Sequence, residues 1–318
     1  MSAFDLVFTQ PELVERPPVL VDIGAAAGVH RAWRPIARYA VALGFEPDAR
    51  EAQPLTAAQR QFRKFAFCPA IAWPGDPPAA EVPFHLTRSP QCSSVLAPDP
   101  EGLAPWAFAE IFQVARTERI AAVGLRQALM QNGLERIDWL KCDTQGLDLR
   151  LFLSLPESLR QRISAVEFEP GLLSAYAGED RIGTVLTHME TEPFWLASFR
   201  VQPAVRANAG AIASELGSVR RVQRYGPEAP GWVNACWLRD VRKKNDWLDR
   251  RGRLLAWVFS TLLGQDGEAL FIARTSQSGA EDPVFARLAQ VSRRRLRLSL
   301  WRRMPLRILR RMLRPWSA

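Results

Sequence analysis

VLVDIGAAAGVHRAWRPIARYAVALGFEPD, residues 19–48, is the stretch that decides the fold. It opens with the apolar, β-branched run VLVDI, which is typical of a strand buried on both faces of a parallel sheet. Gly24 and Gly28 then permit a tight turn, and the following residues predict a helix to about Leu43. Phe45 starts a second predicted strand. This strand, glycine turn, helix and strand predict an α/β fold.

An acidic tip on the second strand indicates a nucleoside site. Glu46 lies 22 residues after Gly24 and suits the two hydroxyls of an adenosine ribose, while the helix N-terminus would face the rest of the ligand. Ala26 and Val29 occupy the second and third glycine positions of the dinucleotide motif GxGxxG, which disfavours a nicotinamide oxidoreductase. The shorter turn that remains suits S-adenosylmethionine. Alternatively, the small residues only allow a helix and a strand to pack closely.

Five segments in order, VDIGAAAG, GFEPD, HLTRSPQCSSVLAPD, IDWLKCDTQG and AVEFEP, resemble the FkbM family of S-adenosylmethionine-dependent methyltransferases. The resemblance covers about residues 19–239. It implies a class I methyltransferase fold, which is a Rossmann-like, mostly parallel sheet with helices on both faces. It also implies methyl transfer to a hydroxyl of a sugar, glycan or secondary metabolite.

One departure from the family pattern affects the predicted chemistry. The family usually reads KxDxEGxE where this chain reads KCDTQGLD, with Gln145 and Asp148 in place of the two glutamates. If the first glutamate positions the acceptor or takes its proton, Gln145 changes that step. A binding module that kept the fold and lost its activity is therefore the alternative function.

Several polar residues near predicted strand ends are candidates for catalysis. Asp143 follows a buried strand, and ligands gather at the carboxyl ends of parallel strands, although an aspartate there also caps helices. Glu167 and Glu169 share one face of a strand end and could take a proton or form a solvated edge. His30 follows the glycine turn and is either in the active site or structural. The predicted catalytic residues are Asp143, Glu167, Glu169 and His30.

The predicted cofactor contacts come from the same strand ends and from one serine loop. Ser93 and Ser94 either lie over the cofactor, as the family resemblance implies, or simply form a turn. Lys141 shares a face with Asp143, so an internal ion pair competes with catalysis there. The predicted cofactor-binding residues are Asp22, Gly24, Ala25, Gly28, Glu46, Pro47, Ser93, Ser94 and Asp143.

Composition excludes several classes of protein. The 318 residues are 47% apolar, which supports one large α/β domain with an appendage. Four scattered cysteines without a CxxC pair predict free thiols in a reducing compartment. Three histidines without metal-ligand spacing predict no metal site. The N-terminal residues show no secretory pattern, and the longest apolar run, residues 254–263, is about half the ~20 residues that span a bilayer. We therefore expect a cytoplasmic protein.

Pattern changes along the chain divide it into four parts. We expect a loosely structured lead-in at 1–18, the S-adenosylmethionine-binding domain at 19–240, two or three helices at 241–290 and a basic amphipathic tail at 291–318. Within the domain, further predicted strands cover 65–71, 82–87, 137–142 and 163–168, and predicted helices cover 124–132 and 184–192. Residues 194–201 and 232–238 predict the antiparallel pair that many class I methyltransferases add to the sheet.

The tail carries ten arginines and no acidic residue, which exceeds the formal net charge of the whole chain, +9. The rest of the chain is therefore close to neutral and gives no electrostatic reason to expect nucleic acid. Leucines, isoleucine, methionines and tryptophans alternate with the arginines, and Pro305 is expected to divide two amphipathic helices. This pattern favours an anionic membrane surface at the cytoplasmic face. A protein partner, nucleic acid or a disordered extension remain alternatives, and a homo-oligomer is also possible.

Overall fold

A computed structural model of the chain describes residues 2–25, 30–51, 59–243, 248–276 and 282–312, with the backbone alone from residue 303. The chain divides into two compact units. The sheet unit comprises residues 17–240, and the terminal unit comprises residues 1–16 and 241–318.

The strands, in chain order, are β1 (Val19–Ile23), β2 (Val41–Phe45), β3 (Lys64–Cys68), β4 (Ile71–Trp73), β5 (Glu81–Thr87), β6 (Val114–Gly124), β7 (Trp139–Cys142), β8 (Ala165–Phe168), β9 (Phe194–Val205) and β10 (Glu228–Arg239). The α-helices are α1 (Ala3–Phe8), α2 (Pro11–Glu15), α3 (Pro100–Leu103), α4 (Leu125–Gln131), α5 (Asp148–Ser154), α6 (Glu157–Arg160), α7 (Ile182–Met189), α8 (Ala209–Leu216), α9 (Val219–Tyr225), α10 (Arg250–Leu262), α11 (Asp266–Thr275) and α12 (Pro283–Met312).

The sheet unit is built on a seven-stranded, mostly parallel sheet in the order β3-β2-β1-β7-β8-β10-β9. Strands β3 to β8 of this order run parallel to one another, and β10 runs antiparallel to both of its neighbours. All five residues of β1 are buried, as the apolar run predicts for a central parallel strand. The α/β, Rossmann-like prediction is confirmed at this level, and so is the antiparallel final pair.

The prediction of a helix between β1 and β2 is wrong for the residues that the structure describes there, 30–40. Residues 30–40 form two 3-10 turns, Arg31–Trp33 and Ala37–Tyr39, and Phe45 ends the second strand where it was expected to begin it. Pro35 explains the difference, because proline lacks the amide hydrogen that an interior helical position donates, and its ring clashes with the preceding turn. Gly28 lies outside the described residues.

The two faces of the main sheet are covered differently. On one face, Leu129 of α4, Phe152 of α5 and Val185 of α7 belong to the same buried cluster as the strand residues. On the other face, the ring centroid of Trp33, in the first 3-10 turn, lies 5.9 Å from that of Trp139 in β7. Among the described residues, 3-10 turns therefore stand where the family resemblance implies a helix.

A second, three-stranded sheet in the order β4-β6-β5 belongs to the same unit. Residues 82–87 are extended as predicted, whereas the strand predicted at 65–71 is divided into β3 and β4. The predicted strands at 137–142 and 163–168 and the predicted helices at 124–132 and 184–192 appear with shorter or shifted ends as β7, β8, α4 and α7. All four cysteines are free thiols, as predicted.

The lead-in is helical, so the prediction of a loose segment is wrong. Ser2 and Asp5 cap α1 reciprocally, since each side chain accepts a hydrogen bond from the other residue's backbone amide. Within the terminal unit, Arg250 of α10 contacts Glu12 of α2 at 2.8 Å and Asp282 at 2.7 Å. The first residues thus belong with the C-terminal helices.

The C-terminal tail is one continuous helix with the residues before it. The backbone of α12 runs from residue 283 to 312 through Pro305, so neither the predicted break nor a boundary at 290 is present. A proline removes one hydrogen bond, and a long helix can continue past it with a kink. No helix that the structure describes combines the length and apolar character needed to cross a bilayer.

The described side chains of the tail do not sort into a basic face and an apolar face. Arg294 and Arg297 line one surface depression together with Leu298 and Trp301, because residues three and four apart share a helix face. Leu298 is 50% exposed and Trp301 is 71% exposed. The predicted segregation is therefore wrong for these residues, and basic and apolar groups share one solvent-facing surface.

Candidate functional site

A cavity of about 460 Å³ lies at the carboxyl ends of the parallel strands. Its wall includes Gly24 after β1, Glu46 after β2, Asp143 after β7 and Glu169 after β8. Four residues predicted from separate strand ends therefore come together, as expected for the ligand crevice of an open α/β sheet. Strands β4 and β5 of the three-stranded sheet, and the loop between β5 and β6, supply other parts of the wall.

Gly24 is required by a close approach between two strand ends. Its φ angle is +78°, and a Cβ atom added there would lie 2.0 Å from the backbone oxygen of Asp143. The amides of Gly24 and Ala25 both donate to the backbone oxygen of Phe45. The glycine thus allows backbone packing, the alternative that the sequence left open, and it also leaves the cavity wall free of a side chain.

Glu46 lines the cavity with only 6% of its surface exposed, and Pro47 beside it also lines the cavity. Its Oε1 accepts a hydrogen bond of 2.9 Å from the amide of Asp48. Burial raises the pKa of Glu46 to about 7, against the lowering effect of that hydrogen bond. The carboxyl is therefore short of polar partners, and ligand hydroxyl groups would supply them.

Asp22 and Ala25 were predicted as cofactor contacts, but neither lines the cavity. Asp22 is buried, and its Oδ1 accepts a hydrogen bond of 3.0 Å from Lys141 Nζ. Its Oδ2 accepts a hydrogen bond of 2.9 Å from the amide of His30. The structure thus gives Asp22 a supporting position behind the wall, and Lys141 forms the internal ion pair that was one of its two predictions.

Asp143 and Glu169 form a coupled carboxyl pair in the cavity wall. Burial raises the pKa of Glu169 to about 9, and the negative charge of Asp143 and a hydrogen bond shared with it act in the same direction. Trp232 Nε1 donates a hydrogen bond of 2.8 Å to Glu169 Oε1. Glu169 is therefore protonated near neutral pH and can donate a hydrogen bond to the Asp143 carboxyl.

Gln145 connects this pair to the opposite wall, and the sequence singled it out only as a departure from the family pattern. Its Nε2 donates a hydrogen bond of 2.7 Å to Asp143 Oδ1. Its Oε1 accepts one of 3.0 Å from the hydroxyl of Tyr176. Its φ angle of +57° lies in the left-handed region, where a residue other than glycine is uncommon.

Asp148, the other departure, supports the site from behind. Its Oδ1 accepts hydrogen bonds from the backbone amide and the hydroxyl of Thr144, and its Oδ2 accepts one from the amide of Glu169. Burial and the charge of Asp143 raise the pKa of Asp148 to about 7 in spite of these donors. Asp148 therefore fixes the turn after Asp143 to the end of β8.

His30 and Glu167, both predicted as catalytic, contact each other outside the cavity lining. His30 Nε2 lies 3.3 Å from Glu167 Oε1. Burial acts to raise the pKa of Glu167, but the contact with His30 and the positive charge of Lys141 lower it overall. Glu167 and Glu169 therefore occupy separate environments, although the period of a strand predicted one shared face.

The two serines have different positions. Ser93 lines the cavity, and its Oγ accepts hydrogen bonds from the amide of Thr87 and from Arg50. Ser94 does not line it; its Oγ donates a hydrogen bond of 2.9 Å to the backbone oxygen of Gln145. Both serines thus stabilise the loop, and Ser93 alone is placed to meet a ligand.

One end of the cavity is aromatic, which the sequence did not reveal. The ring centroid of Phe108 lies 5.5 Å from that of Phe112 and 6.5 Å from that of Trp232, and Phe112 lies 5.6 Å from Tyr176. These residues come from distant parts of the chain, so no local spacing could have signalled them. The group offers a flat surface against which a ring or an apolar chain can pack.

Apart from the thiol of Cys92, the ionisable side chains around the cavity are acidic or phenolic. Glu46, Asp143, Glu169 and Glu179 line it, and among the described residues of the wall there is no lysine, arginine or histidine. Such a wall favours neutral or positively charged ligands over phosphates. Within the described ranges, no three His, Cys, Asp or Glu side chains are grouped as they would be to hold a metal ion.

Comparison with known proteins identifies no relative: no family model matches the sequence, and no curated protein is significantly similar to it. The resemblance to the FkbM family therefore depends on the quoted segments alone.

Proposed function

We propose that the sheet unit is an S-adenosylmethionine-dependent methyltransferase of the class I type, resembling the FkbM family, which methylates a hydroxyl of a sugar, glycan or secondary metabolite. The main support is the cavity at the carboxyl ends of β1, β2 and β7, where Glu46, Gly24 and Asp143 meet. The strand order, with β10 antiparallel beside β8, is also consistent with this fold class.

The residues present fit the cofactor. The carboxyl of Glu46, poor in polar partners, would accept the ribose hydroxyls, and the side-chain-free backbone at Gly24 permits close contact. The acidic wall is compatible with the positive sulfonium, whereas the pyrophosphate of a nicotinamide dinucleotide would find no described basic partner in it. An oxidoreductase is therefore the disfavoured alternative.

S-adenosylmethionine supplies an activated methyl group, so the protein must align the acceptor and remove its proton. Alignment alone contributes up to ~7 to 11 kcal/mol in well-oriented reactions. The aromatic end of the cavity would hold the acceptor, and Asp143, which lines the cavity, would accept the hydroxyl proton. A binding module without activity remains the second candidate, because Gln145 replaces the usual glutamate.

Calorimetry with S-adenosylhomocysteine and with NAD tests the proposal. We expect micromolar binding of S-adenosylhomocysteine, a matching rise in melting temperature, and no response to NAD. If only NAD binds, the proposed function would have to be that of an oxidoreductase and not of a methyltransferase. If neither ligand binds, the methyltransferase proposal fails.

We also propose that the tail holds the protein at the anionic, cytoplasmic face of a membrane. The exposed Trp301 and Leu298 beside Arg294 and Arg297 support this proposal, since tryptophan, leucine and arginine together suit the headgroup region. Nucleic acid would use the arginines but gain little from the leucines.

A further inference from the structure

Gln145 is held so that its amide nitrogen faces Asp143. The Nε2 to Oδ1 distance is 2.7 Å, and the Tyr176 hydroxyl lies 3.0 Å from Oε1 at the other end of the amide. Rotating the amide by 180° would point Oε1 at the Asp143 carboxylate, where two acceptors would repel each other. The hydroxyl of Tyr176 also lies 2.8 Å from the backbone oxygen of Cys92, so its single proton is shared between these two acceptors.

The backbone of Gln145 is constrained as well. Its oxygen accepts the hydrogen bond from Ser94 Oγ, and its positive φ directs the side chain back toward Asp143. Burial raises the pKa of Tyr176 well above its ordinary value, so its hydroxyl remains a donor through the physiological range. The amide is therefore a fixed, neutral donor beside the carboxyl pair.

A glutamate at this position would act differently. Its carboxylate would lie beside Asp143 and Glu169, and three close carboxyl groups would have to take up a further proton. A neutral amide adds no further negative charge and donates a hydrogen bond to the Asp143 carboxyl.

We infer that Gln145 is a positioning residue: its amide, held by Tyr176, orients the Asp143 carboxyl to accept the proton of the methyl acceptor. This inference rests on the proposed function. As the acceptor's oxygen forms its bond to the methyl carbon, the electron pair of the sulfur–carbon bond returns to sulfur. The O–H bond breaks and its proton passes to Asp143. The products are a methyl ether, S-adenosylhomocysteine and a proton that later leaves to solvent.

Several other ionisable groups surround Asp143 and would respond to its charge. They are Lys141 on its own strand, Asp22 on β1, Glu46 after β2, Asp148 on α5, Glu169 after β8, and Cys92, Cys142 and Tyr176. The test must therefore observe individual carboxyl groups.

Carbon-13 NMR of protein labelled at the Asp and Glu carboxyl carbons, titrated from about pH 4 to 10, gives that resolution without an acceptor molecule. Asp143→Asn and Glu169→Gln assign the two signals. In Gln145→Asn, the new residue tolerates the positive φ but is too short to reach Asp143. We expect the titration of the carboxyl pair to shift by about half to one pH unit, as for the loss of one hydrogen bond.

Two further variants complete the design. Gln145→Glu should add a third, coupled titration to the pair. Gln161→Asn is the matched control, because Gln161 also donates to a carboxylate, that of Glu157, but on the exposed surface. It should leave both signals unchanged.

Unchanged Asp143 and Glu169 midpoints in Gln145→Asn and Gln145→Glu would overturn the inference, and a lower melting temperature alone would then make Gln145 a turn residue. Calorimetry of the unmodified protein with S-adenosylhomocysteine separates the two proposals. If S-adenosylhomocysteine does not bind, the methyltransferase proposal fails even where the titrations shift as expected. If it binds and the titrations do not shift, only the positioning role of Gln145 fails.

Discussion

Lys141 Nζ lies 3.0 Å from Asp22 Oδ1, and this buried ion pair joins the central strands β1 and β7 behind the cavity. The ammonium also lies 3.3 Å from the backbone oxygen of Gly24 and 3.9 Å from Asp143 Oδ2. Burial opposes its charge, but the negative charges of Asp22 and Asp143 raise the pKa of Lys141 overall. One positive charge thus holds the ends of two strands that shape the site.

Lys141→Met should destabilise the protein by about 3 to 5 kcal/mol, because it leaves Asp22 buried without its charged partner. The double variant Lys141→Met with Asp22→Asn should recover part of that loss, since asparagine can still accept from the amide of His30. Urea unfolding measures both. If the free energy of unfolding of Lys141→Met lies within ~1 kcal/mol of that of the unmodified protein, the ion pair contributes little to stability.

Gly24→Ala should be strongly destabilising, because the added Cβ would collide with the backbone of Asp143 and the φ is positive. Gly133→Ala is the control: its φ is +67°, but no atom lies within 4 Å of the added Cβ. We expect the control to lower the free energy of unfolding by about 1 kcal/mol, from backbone strain alone. Gly24→Ala should lower it several times more. Equal losses in chemical denaturation would contradict the close approach.

Glu46 should make the protein less stable as pH rises from about 4.5 to 7. Its pKa is raised in the folded state from 4.5 to about 7, so the folded protein binds this proton more tightly than the unfolded chain. The stabilisation is present below about pH 4.5 and is lost through pH 7, on the order of 3 kcal/mol. Glu46→Gln should flatten this part of the pH profile of unfolding. A profile equal to that of the unmodified protein would show that Glu46 titrates normally.

Measurements of cofactor binding should distinguish the role of Glu46 from that of Asp143. Glu46→Gln should weaken S-adenosylhomocysteine binding about 10- to 100-fold, the loss of a charged hydrogen bond to ribose. Asp143→Asn should bind within about threefold of the unmodified protein but lose methyl transfer. Calorimetry measures the first effect, and the opposite pattern would mean that the two residues have exchanged roles.

Removal of three tail arginines should weaken binding to anionic vesicles. Each arginine near such a surface contributes on the order of 1 kcal/mol. We expect a smaller fraction of the Arg293→Ser, Arg294→Ser, Arg297→Ser triple variant to sediment with phosphatidylglycerol vesicles. The fraction of unmodified protein that sediments should fall as the salt concentration rises. A matched triple variant at the exposed Arg126, Arg220 and Arg221 removes equal charge and should sediment normally. Equal loss in both would indicate a net-charge effect.

Local patterns predicted the central strands well because burial on both faces leaves a mainly apolar run, as in β1. They also placed Gly24, Glu46, Asp143 and Glu169 at strand ends, and the parallel sheet brought these ends together. Two of the failures involve single prolines: Pro35 prevents the expected helix, whereas Pro305 does not end α12.

The remaining site residues depend on tertiary contacts that no local spacing reveals. Trp232 reaches Glu169 from 63 positions further along the chain, and Tyr176 reaches Gln145 from 31 positions away. Glu167 was correctly placed near the end of a strand, but it contacts His30, and neither residue lines the cavity.

The helices of residues 3–15 find their partners among residues synthesised more than two hundred positions later, as the contact of Glu12 with Arg250 shows. During translation these helices are therefore made before their packing partners. Leu13 and Val7, which are buried in the folded protein, lack those partners until the ribosome has synthesised the intervening sheet unit. A chain stalled near residue 240 could hold a finished sheet unit and still present this apolar segment to chaperones. Deleting the opening residues should for the same reason impair the last-made helices before it affects the cavity.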